Sequence, residues 1–271
     1  MPNQSIVVPN KMKQALRDGQ PQIGTMISEI RQAAVVQLLA NAGFDFVIID
    51  NEHGPFNIET IADLSRTARY VGLTPIVRVP ELGYRYLAQS LDAGAQGVMI
   101  PRVTDVAQVH EAVQMMKYPP LGRRGNAIVR GHTNFRSGPM AEMLTQSNEA
   151  TMLVIQIETQ QAVEQIEEIA AVPGVDVALI GPADLSISLD VPGQMEAPEL
   201  QVAIEATIKA CQKHGTAPAI HMNDVKLATY WAKMGMQAIS SSSDAGLMMK
   251  AGLELTTVLG EAMGRGEIIN Y

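Results

Sequence analysis

Short apolar runs alternate with longer amphipathic stretches along most of this chain. The apolar runs are rich in Ile and Val and end at Gly, Pro or charged residues, as is typical of strands buried on both faces. The amphipathic stretches repeat their apolar residues at helical spacing, and several end at glycine. The predicted strands cover residues 22–28, the apolar start of 46–54, 74–79, 97–103, 152–158, 176–181, 217–222 and 237–241. The predicted helices cover residues 11–19, 29–42, 58–71, 84–93, 105–117, 139–146, 160–171, 199–214, 225–234 and a segment that begins near 244.

This alternation favours one α/β domain over residues 1–271. Strands that alternate strictly with helices form parallel sheets, and eight of them close as a (β/α)8 barrel, the TIM barrel. A doubly wound open sheet is the alternative, but no G-x-G-x-x-G follows the first strand. Residues 118–148 interrupt the pattern with Gly, Arg and Pro, and so long a connection is usually functional or interfacial.

The second strand ends in charged residues, in the sequence F-V-I-I-D-N-E-H-G at 46–54. Charge at the end of a buried strand is costly unless a nearby group uses it, so Asp50, Glu52 and His53 are candidates for one corner of an active site. Histidine is the residue type that most often acts as a general base, so His53 is the candidate for that role, and Asp50 is placed to orient it or to hold water. A histidine that caps the following helix is the structural alternative.

Arg78 ends the third strand, on the face where the C-terminal ends of all barrel strands meet. A buried guanidinium needs an anionic partner. That partner is either a substrate carboxylate or enolate oxygen, or a structural salt bridge to Asp50 or Glu52.

Two further carboxylates follow neighbouring strands on the same face, Glu158 after the fifth and Asp184 after the sixth. Without Cys or a paired His, they suit Mg²⁺ or Mn²⁺ better than zinc, with solvated loop acids as the alternative. The small residues of G-P-A-D at 181–184 let a ligand approach the backbone N–H groups. His221 and residues 240–244 end the last two strands. No lysine lies at any strand end, which disfavours a Schiff-base mechanism.

Composition narrows the class of protein. The net charge of −8 disfavours nucleic acid and acidic membrane surfaces as partners. No apolar stretch is long enough for a transmembrane helix, and the first residues do not resemble a signal peptide. The single cysteine, Cys211, is interpreted as a buried small hydrophobe. These features predict a cytoplasmic protein.

Several motifs in order along the chain carry a family resemblance. They are I-D-N-E-H-G-P at 49–55, I-V-R-V at 76–79, L-D-A-G-A-Q-G-V-M-I-P at 91–101, Y-P-P-L-G-R-R-G at 118–125, Q-I-E-T at 156–159 and G-P-A-D-L-S at 181–186. The chain resembles the HpcH/HpaI family of class II, metal-dependent pyruvate aldolases from about residue 22 to residue 252. The resemblance implies the barrel of the phosphoenolpyruvate/pyruvate superfamily.

The resemblance also implies a reaction, in which a 4-hydroxy-2-oxo acid is cleaved reversibly to pyruvate and an aldehyde through a metal-bound pyruvate enolate. Glu158 and Asp184 would hold Mg²⁺, Mn²⁺ or Co²⁺, which pyruvate chelates. Arg78 would stabilise the enolate oxygen, and His53, supported by Asp50, would transfer protons. The implied substrate-binding set is Arg78, Gln156, Pro182, Ala183, Asp184 and His221.

The family assembles as homo-oligomers, typically hexamers or trimers of dimers, and swaps its last helix between barrels. It brings an aspartate at the position of Asp92 to a neighbouring subunit's site as a catalytic residue, and residues 118–148 are a candidate intersubunit segment. The chain departs from the family pattern at Met26, at His221 and at the serines 240–243. These positions predict a polar or anionic aldehyde, with His221 as a specificity residue.

Two other functions remain open from the sequence. A related carbon–carbon lyase that acts on CoA thioesters, or a decarboxylase that uses the same enolate, is one. A non-catalytic ligand-binding barrel is the other, although such a module has no need of a base. The sequence does not identify the natural aldehyde, the preferred metal or the pathway.

Overall fold

The computed structural model describes residues 5–265, and its centre is a closed barrel of eight parallel strands in sequential order. The predicted (β/α)8 barrel is therefore confirmed. The strands are β1 (Gln22–Ile27), β2 (Phe46–Asp50), β3 (Thr74–Arg78), β4 (Gly97–Ile100), β5 (Met152–Ile157), β6 (Val177–Ile180), β7 (Ala217–His221) and β8 (Ala238–Ser243).

Helices surround the barrel. They are α1 (Lys11–Arg17), α2 (Ala34–Asn41), α3 (Ile58–Val71), α4 (Tyr84–Ala93), α5 (Val106–Met116), α6 (Met140–Ala150), α7 (Gln160–Glu164), α8 (Ile166–Ala171), α9 (Pro182–Ser188), α10 (Pro198–His214), α11 (Val225–Lys233) and α12 (Asp244–Ala262). A single 3-10 turn, Gly131–Thr133, also lies in the 118–148 segment. Among the described residues, no helix combines the length and the apolar character that a membrane crossing requires.

Alternate residues of each strand belong to two different cores. Phe46 and Ile48 pack inside the barrel with Ile76, whereas Val47 and Ile49 pack outward against the helices. This period of two is the ordinary geometry of a strand. Every second residue of each strand therefore points to the barrel axis, as far as the mouth of the barrel at the C-terminal ends of the strands.

The structure differs from the sequence prediction in a few elements. Residues 29–33 are not helical, because the Asp244 carboxylate accepts the backbone N–H groups of Ser28, Glu29 and Ile30 and holds them as a loop. The predicted helix 160–171 is divided into α7 and α8. Residues after β6, predicted as a loop, begin with the short helix α9.

The last described helix, α12, is mostly exposed. Only Asp244 and Gly260 are buried along it, and the exposed residues include Met248, Met249 and Leu255. The exchange of this helix between subunits, which the family resemblance implies, stays a prediction.

Candidate active site

The parity of the strands decides which polar side chains enter the mouth of the barrel. Ile48 of β2 and Ile76 of β3 point to the barrel axis. The residues two positions later, Asp50 and Arg78, therefore point the same way. The inward series of the other strands ends in the same way. Residues that continue it are Gln156, Glu158, Gly181, His221 and Ser240.

Asp50 and Arg78 form a bidentate ion pair across β2 and β3, where they are register partners. Arg78 Nε donates to Asp50 Oδ1 at 2.9 Å, and Arg78 Nη2 donates to Asp50 Oδ2 at 2.7 Å. Both side chains are buried. Burial alone raises the pKa of the Asp50 carboxyl, but the hydrogen bonds and charge of Arg78 outweigh it, and the net pKa is lowered.

The loop after β2 is fixed by the same carboxylate. Asp50 Oδ1 accepts the backbone N–H groups of Glu52 at 3.0 Å and His53 at 3.3 Å. Gly54 is required here, because a Cβ atom would lie 2.2 Å from the Asp50 carbonyl oxygen. Asp50 thus positions the backbone of His53, whereas the sequence suggested that Asp50 orients the imidazole or holds water.

Glu52 and His53 project differently from this loop. Glu52 Oε2 lies 3.3 Å from Arg78 Nη1, so Arg78 binds both carboxylates that the sequence offered as partners. His53 Nε2 is 4.0 Å from Glu52 Oε2, and the His53 side chain is 73% exposed. The imidazole is therefore free to meet a substrate or water at the mouth, and no buried contact fixes its ring.

Glu158 is buried at the mouth end of β5, and each of its oxygens accepts one hydrogen bond. Arg102 donates its backbone N–H to Oε1 at 2.6 Å, and Gln156 Nε2 donates to Oε2 at 2.5 Å. Burial raises the pKa of Glu158; the Arg102 N–H opposes this, and the charges of Asp184 and Glu52 add to it. A nearby cation would favour the ionised form.

Arg102 was not expected from the sequence as part of the site. It follows β4 with a φ of 55°, in the left-handed region that residues other than glycine seldom adopt. This conformation accompanies the hydrogen bond of its backbone N–H to Glu158. The local sequence P-R-V does not indicate this left-handed conformation.

A cavity of about 220 Å³ opens beside Arg78 and Gln156. The first turn of α9 forms one wall, where Ala183 and Asp184 are exposed and Pro182 is buried. Gly181 precedes this turn, and a Cβ atom there would lie 3.2 Å from Glu158 Oε2, so the glycine keeps space beside the carboxylate. The other lining residues include Met26, Ile48, Arg78, Met99, Gln156, Leu179 and His221.

His221 also lines the cavity, at the end of β7, and its register partner is Ser240 of β8. Its Nδ1 atom is 2.9 Å from Ser240 Oγ. Burial, and then the positive charge of Arg78, lower the pKa of His221 to about 4, so the imidazole is neutral near pH 7. Ser243 caps α12 instead of entering the cavity. Among these serines, Ser240 therefore contacts a residue that lines the cavity, and Ser243 caps a helix.

Asp92 lies apart from these groups. It is in α4, which precedes β4, and therefore belongs to the N-terminal end of the barrel. Its Oδ1 atom accepts a hydrogen bond from Arg124 Nη2 at 2.5 Å. Within one chain Asp92 does not meet His53, so its catalytic role depends on a neighbouring subunit and stays a prediction.

The residues at the mouth fit a hard divalent cation in part. Among residues 5–265 no group of three His, Cys, Asp or Glu side chains is arranged to hold a metal ion. Glu158 and Asp184 supply carboxylates, and the buried Gln156 Oε1 atom has no hydrogen-bond partner among these residues. Oxygen donors that leave coordination positions to water and substrate suit Mg²⁺ or Mn²⁺.

Comparison with known proteins gives a consistent result. Residues 25–251 match the profile of the family described as HpcH/HpaI aldolase/citrate lyase. A 4-hydroxy-2-oxo-heptane-1,7-dioate aldolase from Escherichia coli is 34% identical over 93% of this chain and 95% of its own.

Solved structures agree with this similarity. The HpcH/HpaI aldolase from Desulfitobacterium hafniense superposes with a TM-score of 0.89 at 30% identity, over 94% of this chain and 98% of its own. An HpcH/HpaI aldolase/citrate lyase family protein from Burkholderia cenocepacia gives 0.86 at 30% identity, over 92% and 99%.

Proposed function

The chain belongs to the HpcH/HpaI aldolase/citrate lyase family, and we propose that it is a class II pyruvate aldolase. It would cleave a 4-hydroxy-2-oxo acid reversibly into pyruvate and an aldehyde, as a carbon–carbon lyase. The observation that carries this proposal is the arrangement around Arg78. A buried guanidinium, held by Asp50 and Glu52, faces a small cavity that Gln156 and Asp184 line, and Gln156 donates a hydrogen bond to the buried Glu158.

Glu158 and Asp184 would hold the divalent metal, Mg²⁺, Mn²⁺ or Co²⁺, whose charge stabilises the negative charge that develops on the 2-oxo oxygen. Every other task falls to the side chains and backbone of this chain. The backbone N–H groups of Ala183 and Asp184 would bind the substrate carboxylate, because the first turn of α9 presents them beside the cavity. Pro182, which has no N–H, would contact the substrate through its ring.

Arg78 would stabilise the enolate oxygen in the transition state. An arginine has five N–H donors, and Asp50 occupies two of them in a fixed fork. These two hydrogen bonds fix the plane of the guanidinium. An N–H group of Arg78 that faces the cavity therefore needs no reorganisation when negative charge develops on the enolate oxygen. Gln156 lines the same part of the cavity, and its unpartnered Oε1 atom, which only accepts hydrogen bonds, would hold a water molecule beside the substrate.

His53 would accept the proton of the 4-hydroxyl group as the C3–C4 bond breaks. It is exposed at the mouth, where the aldehyde half of the substrate would lie. Asp50 positions the loop that carries it. Asp92 of a neighbouring subunit would complete the proton path, so we also propose a homo-oligomer, with residues 118–148 and α12 at its interfaces.

His221 would contact the aldehyde half of the substrate. A neutral imidazole that lines the cavity offers a hydrogen bond and no charge. Of the polar or anionic aldehyde that the sequence predicts, this supports the polar one.

The test is pyruvate release from a panel of 4-hydroxy-2-oxo acids, measured with a coupled dehydrogenase. We expect turnover that EDTA abolishes and that Mn²⁺ or Mg²⁺ restores. Glu158→Gln should lose metal-dependent turnover while its melting temperature stays near that of the wild type. Turnover that resists EDTA contradicts the metal assignment. Absence of turnover on the whole panel, with retained pyruvate binding, supports a binding protein instead.

A further inference from the structure

A second cavity lies at the end of the barrel opposite the candidate active site. Its volume is about 20 Å³. Part of its wall is the turn that leads into β4, residues 94–96, which places it at the N-terminal end of the strands. Six polar side chains border it. Two are Gln96 and Thr151, and the other four are Arg69 from α3, Arg124 and His132 from the 118–148 segment, and Ser147 from α6.

Each of these four side chains has a buried polar atom without a hydrogen-bond partner among residues 5–265. The atoms are Arg69 Nε, Arg124 Nε, both imidazole nitrogens of His132 and Ser147 Oγ. Arg124, His132 and Ser147 are only 4%, 8% and 2% exposed. Buried donors normally have partners, because leaving them unpaired costs free energy. Five such atoms around one small cavity indicate a shared ligand.

The charge around this cavity is unbalanced. Arg124 is compensated by Asp92, but Arg69 donates only to backbone carbonyls, Gly131 O at 2.6 Å and His132 O at 3.0 Å. None of the described residues that line the cavity is acidic. Burial and the two guanidiniums lower the pKa of His132 to about 3, so the imidazole is neutral. Within residues 5–265, the positive charge of Arg69 is left without a counter-charge.

We propose that this cavity binds one monovalent, monoatomic anion, which in the cell is chloride. The cavity accommodates a single water-sized particle, so phosphate and carboxylates are too large. The guanidinium Nε–H groups, one imidazole N–H and the serine hydroxyl are donors, as an anion requires. A water molecule also accepts hydrogen bonds, but only an anion offsets the charge of Arg69.

The anion connects three parts of the fold. It lies between α3, α6 and the 118–148 segment, and it contacts the guanidinium that holds Asp92. Its loss should loosen this segment from the barrel.

The first experiment compares melting temperatures in sodium chloride, sodium bromide and sodium gluconate at matched pH and ionic strength. A ligand that binds only the folded state raises the melting temperature by roughly 3 °C for each tenfold increase above its dissociation constant. We expect this increment in the two halides and not in gluconate, which is too large. Arg69→Met should remove the increment.

A matched control lies one turn earlier in the same helix. Arg66 also donates its Nε–H to a backbone carbonyl, that of Ala93, and does not border the cavity. Arg66→Met should keep the halide increment. If Arg69→Met does not fold, Ser147→Ala, which removes only one donor, should raise the halide concentration needed for half the effect.

The second measurement is anomalous scattering from crystals of the whole protein soaked in bromide. We expect a peak beside Arg69 Nε and Arg124 Nε. Density for water without an anomalous signal overturns the proposal. Equal melting temperatures in all three salts overturn it as well.

Discussion

The left-handed backbone of Arg102 gives the sharpest test of how the candidate metal ligand is held. Its N–H donates to Glu158 Oε1 at 2.6 Å while its φ is 55°. Such a conformation costs an ordinary residue roughly 1–2 kcal/mol, and glycine avoids that cost. A hydrogen bond to a charged group contributes about 2 kcal/mol. The two effects are separable by the choice of substitution.

Arg102→Gly should keep the hydrogen bond and relieve the strain, so we expect unchanged Mn²⁺ affinity and a melting temperature about 2–4 °C higher. Arg102→Val should disfavour the left-handed conformation because its side chain is β-branched. Loss of about 2 kcal/mol would weaken Mn²⁺ binding roughly 30-fold. Free Mn²⁺ is measured directly by electron paramagnetic resonance, which does not depend on turnover.

Asp190 provides the matched control. Its φ is 59°, but it follows α9 and makes no contact with Glu158. Asp190→Val should therefore lower stability without changing Mn²⁺ affinity. Equal Mn²⁺ affinity in Arg102→Val and Arg102→Gly would refute the positioning role of Arg102. If the wild type itself binds no Mn²⁺, the assignment of Glu158 and Asp184 as metal ligands is wrong. That result would not bear on the positioning role of Arg102.

Three further predictions concern the site and the stability of the barrel. Arg78→Lys keeps the positive charge but loses the two parallel hydrogen bonds to Asp50. We expect kcat/KM to fall at least 100-fold, while the melting temperature changes by a few degrees. A near-normal kcat/KM contradicts the enolate role of Arg78. Lys117 is buried, and burial followed by the charge of Lys13 lowers its pKa to about 7. Between pH 7 and 10 the unfolded state therefore binds more protons than the folded state. The free energy of unfolding of the wild type, relative to that of Lys117→Met, should rise by roughly 1.4 kcal/mol per pH unit over this range. Urea unfolding measures this difference, and the same pH dependence in both proteins contradicts the prediction. His221→Leu should change the order of preference among aldehydes with little effect on pyruvate binding, and an unchanged order excludes a specificity role for His221.

Much of the fold follows from local patterns that are readable in the sequence. The run at Phe46–Asp50 is apolar on both faces, and helix α3 begins with a capping Asn57 and ends before Gly72 in a left-handed conformation. Such signals depend on neighbours a few residues away. The exceptions are informative, since the helical pattern at 29–33 fails where the distant Asp244 takes its N–H groups.

The candidate site was predictable in its members and less so in its contacts. Strand ends and motif spacing indicated Asp50, Arg78 and Glu158, and strand parity explains why they face one mouth. The sequence left two partners open for Arg78, and the structure gives it both. It gave no sign of Arg102, because a backbone donor has no side-chain signature.

The sequence by itself determined the family, the order of strands and helices and the parity that directs polar residues to one end of the barrel. Those features depend on periodicity, and periodicity is local. Only the tertiary structure decided which groups pair once they are buried. Asp50 binds Arg78 and not the imidazole of His53, Asp92 binds Arg124, and an uncompensated Arg69 borders a small cavity. Burial removes water as a partner, so each charged group takes whichever neighbour the fold brings to it, and that neighbour is often distant in the chain.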